Sequence, residues 1–315
     1  MSVWRVDYVR HAMSESNRDE NNGVHILDPK LVSGEEDRGD GRKLCCTALR
    51  PYFRIEANRP THVALSPLAR AVQTMILALE IDVLQTAKVT VLPSLIEQTD
   101  WMSDRARPSA EIKGLMRSEL RLRARESGIP EITVDMDYSA FEEVEKDEDW
   151  IKKDGPYAPH SIIERAKRAR EDLREWAKAS EEDSGSGKAK LAVLGHSGFV
   201  NFLIDDYSGI GCLDSDTPQL GSWPYGAIGQ LILSDVDENN TVVRLEETRE
   251  SRKRRGRQAD GDGTEVKTAQ MQRDAIVKIS RRNATLGIYR TIFETGRIPE
   301  VVAGQGIDYL LGNDL

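Results

Sequence analysis

The sequence predicts an α/β fold: a mostly parallel sheet in a three-layer α/β/α arrangement, with helices on both faces and a hairpin at one edge. Three observations predict it. Short runs rich in β-branched and aromatic residues alternate with longer segments of helical periodicity, the pattern that a parallel sheet imposes. One of these runs, Lys190–Leu194, is apolar almost throughout, as a strand covered on both faces is. The last, Ile228–Ser234, is followed by the turn-rich cluster Asp235–Asn240 and then Thr241–Leu245, which reads as an antiparallel hairpin.

In chain order, the first strand is Val3–Val9, running into the small, polar loop of Ala12, Ser14, Ser16 and Asn17. Residues 20–43 are polar and rich in Gly and Asp, and read as a surface loop. A second strand, His62–Leu65, precedes a helix over Pro67–Glu80. Pro67 suits a first helical position behind Ser66 as cap, and Leu68, Ala71, Val72, Met75 and Leu79 share one face. A third strand covers Val89–Leu92, and a second helix Ser109–Glu126. The long helix Pro159–Ser180 buries a stripe of Ile162, Ile163, Ala166, Ala169, Leu173 and Trp176. Residues 180–188 read as a flexible connector before the apolar strand. From Arg249 to Thr268 the chain is charged, aperiodic and poor in apolar residues, which predicts disorder; apolar residues return over 283–315, a segment suited to docking on the body.

The bulk properties narrow the function classes. The 315 residues carry a net charge of −9, which argues against general nucleic-acid binding, so any cationic pocket is local to an acidic body. The cysteines Cys45, Cys46 and Cys212 form no disulfide framework, and reduced thiols predict a cytoplasmic protein. The N-terminal run, with Arg5 and Asp7 inside it, lacks the pattern of a signal peptide, and no apolar run approaches the roughly 18 residues of a membrane span. Scattered His25, His62 and His160 give no metal-ligand spacing, and no metal or other cofactor is expected.

The chemistry-bearing residues sit where the predicted strands end. Arg10 and His11 follow the first strand, and ligands of open α/β sheets bind at strand carboxyl ends. Arg70 lies on the first turn of the helix after the second strand, where free backbone N–H groups already favour an anion. Glu97 follows the third strand, and His196 closes the apolar strand between Gly195 and Gly198. Each signal alone also fits a structural or solvated residue. Parallel strands would bring all five side chains to one edge of the sheet.

At this point the sequence resembles a known family. RHAMSESN is similar to the R-H-G-x-T-E-x-N motif of the histidine phosphatase superfamily, in its phosphoglycerate-mutase-like branch. SPLARAVQT, LIE and LGHSG resemble the S-x-L-x-R-A-x-Q-T, L-x-E and second-histidine elements of the same family, in the same order. The resemblance spans residues 1–248, with 98–160 as a cap or specificity insertion, 249–282 as a basic linker and 283–315 as the C-terminal segment. Cytosolic fungal members are the nearest in pattern, through Asp104, Pro108, Trp150 and the stretch from Arg165 to Trp176. The resemblance implies a metal-independent phosphatase acting on a small phosphorylated metabolite. His11 would be the nucleophile, forming a phosphohistidine, and Glu97 the proton donor. Arg10, Arg70, His196 and Asn17 would hold the phosphoryl oxygens. Cationic neighbours would keep His11 neutral, as a nucleophile must be.

Departures from the pattern bear on the substrate. Ala12 stands for the usual Gly and Ser14 for Thr, and the Y-G-x-L-x-G run expected of a mutase after Glu97 is absent, which disfavours mutase activity. Of the segment that follows the acid in the fungal relatives, Asp104 is retained. Arg105 and Arg107 are additions that either favour a more anionic substrate or are solvated loop charges. Ser14, Asp104, Arg105 and Arg107 are therefore the candidate specificity residues. The same scaffold also suits a non-hydrolytic binding protein, or a diphosphate-processing or otherwise repurposed enzyme of a specialised pathway. The basic run at 249–257 reads either as a solvated linker or as a nuclear-import signal. The sequence leaves the oligomeric state open.

Overall fold

A computed structural model describes residues 2–18, 26–33, 41–185, 188–205, 223–235 and 243–254. Its seven strands are β1 (Val3–Arg10), β2 (His62–Leu65), β3 (Lys88–Val91), β4 (Asp135–Asp137), β5 (Leu191–Gly195), β6 (Ile228–Asp235) and β7 (Val243–Glu247). They form one sheet in the order β4-β3-β2-β5-β1-β6-β7. β1 to β5 are mutually parallel; β6 runs antiparallel to β1, and β7 antiparallel to β6. The helices are α1 (Glu15–Arg18), α2 (Gly41–Leu44), α3 (Arg50–Arg54), α4 (Ala69–Ala78), α5 (Ile81–Thr86), α6 (Ser109–Glu126), α7 (Ser139–Val144), α8 (Glu148–Lys152), α9 (Ile162–Asp183), α10 (Ser197–Leu203) and α11 (Arg249–Arg254).

Side chains alternate across the pleat, so each central strand feeds two cores. On one face Val9, Val63, Leu65, Val89, Ala192 and Leu194 pack with residues of α3 to α7, among them Phe53, Met75, Ile112 and Phe141. On the other, Trp4, Val6, Tyr8, Leu191, Val193, Leu231 and Leu233 pack against α9 and α10. The three-layer architecture is the one the sequence predicts.

Two local expectations are corrected, and one strand is added. The 20–43 segment is more than a surface loop: Asp28, Leu31 and Val32 are buried, and Ser14 forms a β-bridge with Leu31. The segment 98–160 supplies β4 to the sheet edge, and its helix α6 joins the core through Ile112, Leu120 and Ala124. β4, the sequence Asp-Met-Asp, escapes sequence reading because its residues show no strand-like apolar pattern. The charged stretch expected to be disordered from Arg249 onward begins as helix α11. Ser251 anchors that helix: its hydroxyl donates to Glu247 Oε1 at 2.5 Å and accepts the Gln230 N–H at 3.1 Å. The remainder of the basic run, the 283–315 segment, His25, Cys212 and the centre of the edge hairpin lie outside the described residues. Among the described residues no helix is long and apolar enough to cross a membrane.

Candidate active site

The strand order sets the site. β5 lies between β1 and β2, so the carboxyl ends of these three adjacent strands deliver His11, His196 and, through α4, Arg70. The His11 and His196 rings stand 5.0 Å apart, centroid to centroid. Arg70 donates from Nε to His11 Nε2 at 3.3 Å. Arg10, His11, Arg70 and His196 are all buried.

A hydrogen bond assigns the tautomer of His11. A carbonyl oxygen only accepts, so the 2.6 Å contact of His11 Nδ1 with Ala12 O places the proton on Nδ1. Nε2 then carries the lone pair that meets Arg70. Ser66 Oγ lies 2.7 Å from His196 Nε2 and accepts the Leu68 N–H at 3.4 Å. The Nδ1 of His196 is a buried atom with no partner among the described residues. Ser66 is therefore a partner of the second histidine, not the cap of α4, whose N-cap position is Leu68. Burial, with Arg70 and Arg10 close by, holds the His11 pKa well below its ordinary value; burial and Arg70 do the same for His196.

The arginines are fixed by acceptors that sequence reasoning did not find. Arg10 donates through Nη1 to Trp223 O and lies 3.8 Å over the Tyr225 ring. Arg70 donates through Nη1 to Ser103 O at 2.5 Å and through Nη2 to Asp104 Oδ1 at 2.9 Å. Thr99 in turn donates to Asp104 Oδ2. Asp104 is buried and aims Arg70, so its place is behind the arginine and not at a substrate-facing surface. Asp28 accepts the Ala69 N–H at 2.8 Å at the first turn of α4, and burial pushes its pKa up to about 7.

Glu97 lies against the start of α10. Its Oε1 accepts from Gln98 N at 2.9 Å and Phe199 N at 2.8 Å, while Oε2 accepts from Gly198 N at 3.2 Å. Gly198 leaves room here: a Cβ would sit 2.5 Å from Gln98 Nε2 and 2.7 Å from Glu97 Oε1, so both side chains would have to shift. Burial, then Asp104, raise the Glu97 pKa, against the lowering effect of the backbone hydrogen bonds and Arg70. Gly195 answers a similar demand: a Cβ would strike the hydroxyl of Tyr8. That hydroxyl accepts the His196 N–H at 2.8 Å and donates to His196 O at 3.0 Å, tying the second histidine to β1.

The remaining predicted residues divide. Asn17 accepts the Ser14 N–H and O–H on its amide oxygen, at 3.2 and 2.6 Å, which turns its NH2 end toward other acceptors. Ser14 is fully buried and serves that loop. Arg105 donates to Asp100 O at 3.0 Å, and Arg107 to Leu27 O at 2.9 Å and Glu111 at 3.3 Å. Both therefore brace neighbouring loops and are not gathered with the histidines. Lys153 was missed altogether: it sits buried beside Glu97, in a Lys-Asp-Gly turn with no sequence signal for burial. Among the described residues no group of three or more His, Cys, Asp or Glu side chains is arranged to hold a metal ion.

No protein-family model matches the chain. No curated protein matches it. Among solved structures it is similar to a mycobacterial hydrolase, at 19% identity over 78% of this chain and 96% of that one, with a TM-score of 0.42. It is also similar to a mycobacterial glucosyl-3-phosphoglycerate phosphatase, at 19% identity over 78% and 97% of the two chains (TM-score 0.41). An ecdysone phosphate phosphatase from Bombix mori is similar at 14% identity over 72% and 88% (TM-score 0.40). By its four ordered motifs, whose residues the fold gathers at one edge of the sheet, the chain resembles the histidine phosphatase superfamily.

Proposed function

We propose that the protein is a phosphatase that hydrolyses a small phosphomonoester through a phosphohistidine on Nε2 of His11. The observation that carries this reading is the His11 hydrogen-bond pattern: Nδ1–H is spent on Ala12 O, so Nε2 keeps a lone pair in a buried pocket lined with cations. In the first step Nε2 bonds to phosphorus as the bond from phosphorus to the leaving oxygen breaks. Arg10, Arg70, the Nδ1–H of His196 and the amide NH2 of Asn17 stabilise the phosphoryl oxygens as charge spreads over them, in place of a metal ion. Arg70 exchanges its contact with Nε2 for one with a phosphoryl oxygen.

Glu97 supplies the proton to the leaving oxygen. Oε1 accepts two backbone N–H groups and Oε2 only one, so Oε2 is the oxygen suited to carry the proton. In the second step water attacks phosphorus, Glu97 takes its proton, and His11 is released with inorganic phosphate. The missing mutase segment after Glu97 supports hydrolysis over phosphoryl relocation.

Rapid quenching with a 32P-labelled phosphomonoester tests the reading. The expected result is acid-labile, base-stable label on the wild-type protein and none on His11→Ala, with His11→Ala turnover lower by about 10³-fold or more. Equal turnover by the two proteins would overturn the mechanism.

A further inference from the structure

Glu97 is held at its main chain as well as at its carboxyl group. Its carbonyl oxygen accepts from Lys153 Nζ at 3.0 Å and from Arg165 Nη2 at 3.2 Å. These cations come from different elements. Lys153 ends α8 in a left-handed conformation, φ 59°, and Arg165 lies on the first turn of α9. Both are buried, with relative exposures of 2% and 3%. The Arg165 guanidinium also lies 4.8 Å over the Phe199 ring, next to the N–H that binds Glu97 Oε1. Its Nε and Nη1 are buried without a partner among the described residues.

Burying these two basic groups is costly: burial pushes the Lys153 amine well below its ordinary pKa and lowers that of Arg165, against the opposing pull of the Glu97 and Asp104 carboxyl groups. A purely structural need for a donor at this carbonyl would be met by one uncharged group. The arrangement instead fixes the residue from both ends. The backbone N–H groups of α10 orient the carboxyl, and the α8 and α9 cations prevent the main chain beneath it from sliding or rotating.

We infer that Lys153 and Arg165 are positioning residues, which act through the Glu97 carbonyl to hold the acid in line with the leaving-group oxygen. The inference rests on the proposed role of Glu97 as proton donor. It makes a statement about substrate dependence: a poor, alkoxide-type leaving group needs the proton during bond cleavage, whereas an activated aryl oxide departs with little help. Loss of the clamp penalises the first far more than the second.

The test measures kcat/KM for an alkyl phosphate and for 2,4-dinitrophenyl phosphate with Lys153→Met, Arg165→Gln, Glu97→Gln and the wild type. This parameter covers the steps up to leaving-group departure, so the later hydrolysis of the phosphoenzyme does not enter. Each clamp variant is expected to lose about 10- to 100-fold on the alkyl ester. The ratio of alkyl to aryl kcat/KM should fall at least about tenfold, in the direction given by Glu97→Gln. Both substrates are read on one sample, so partial unfolding lowers both rates and cancels in the ratio. An unchanged ratio in both clamp variants, whether through equal loss or no loss, overturns the inference. If Glu97→Gln itself leaves the ratio unchanged, the acid role fails, and that outcome is distinct from failure of the clamp.

Discussion

His11 and His196 share one pocket, and their different hydrogen-bond partners divide their work. A proton on Nδ1 makes His11 a nucleophile at Nε2; Ser66 occupies Nε2 of His196, so the unpartnered Nδ1 is the atom left for a phosphoryl oxygen in the proposed mechanism. Chemistry then requires His11 neutral and Glu97 protonated, and their environments push the two pKa values toward each other. Burial and the arginines move His11 below its ordinary 6.5, while burial moves Glu97 above its ordinary 4.5. Rate is lost as pH falls through the His11 value, because protonation removes the attacking lone pair. It is also lost as pH rises through the Glu97 value, because the leaving group no longer receives a proton. A profile of kcat/KM for an alkyl phosphate, corrected for ionisation of the substrate, should be bell-shaped with its acid limb below 6.5. Glu97→Gln should remove the alkaline limb and lower the plateau about 10²-fold or more. An acid limb centred at or above the ordinary histidine value would show that the pocket does not keep His11 neutral.

At the scale of elements, the site depends on where helices begin. α4 starts at Ala69 with its first turn satisfied by Asp28, and α10 starts at Ser197 with its N–H groups satisfied by Glu97. In each case a carboxylate from elsewhere in the chain does the work of a local cap and ties that start to the site. Gly198 therefore has a functional reason to lack a side chain. In Gly198→Ala the new Cβ would press on Gln98 Nε2 from 2.5 Å and on Glu97 Oε1 from 2.7 Å, displacing the acid together with its neighbour. The variant should lose about tenfold or more in kcat/KM on an alkyl phosphate. Its melting temperature should hold, since alanine is the better helix former by about 1 kcal/mol. A fall in melting temperature with unchanged kinetics would show that the glycine serves packing alone. The same elements show how much was legible in the sequence. Arg10, His11, Arg70, Glu97 and His196 could be read because each follows a run whose β-rich or apolar character marks a strand. Asp28, Ser66, Lys153 and the aiming of Arg70 by Asp104 could not, because each acts across long stretches of chain and none interrupts or continues a periodic pattern. The charged start of α11 misled for a related reason: one buried serine bonded to Gln230 and Glu247 outweighs its composition.

For the molecule as a whole, the sheet separates chemistry from stability along the strand direction. Every residue proposed to touch phosphate lies at or beyond a strand carboxyl end, while the amino ends of the same strands are tied by a different set of contacts. His62, the first residue of β2, is buried there. Its Nε2 lies 3.0 Å from Asp183 Oδ2 at the end of α9, and its Nδ1 3.0 Å from Thr61 Oγ1. Lys88, the first residue of β3, reaches the other oxygen of Asp183 at 2.5 Å. This clasp holds the last turn of α9 to two neighbouring strands, far along the fold from His11. A substitution in it should change stability without changing catalysis. Removing the imidazole in His62→Ala deletes a hydrogen bond and leaves a partly buried gap, a loss of about 1 kcal/mol. In a domain of this size that corresponds to a fall of about 2–4 °C in Tm. The kcat/KM of the folded variant should stay within about twofold of wild type, because the strand ends that carry the site are still set by the β2-β5-β1 pairing and the two cores. Thermal unfolding and steady-state kinetics on the same preparation check both halves. A kinetic loss that exceeds the stability loss would mean that strain at the amino ends reaches the pocket, and that the sheet does not insulate one edge from the other.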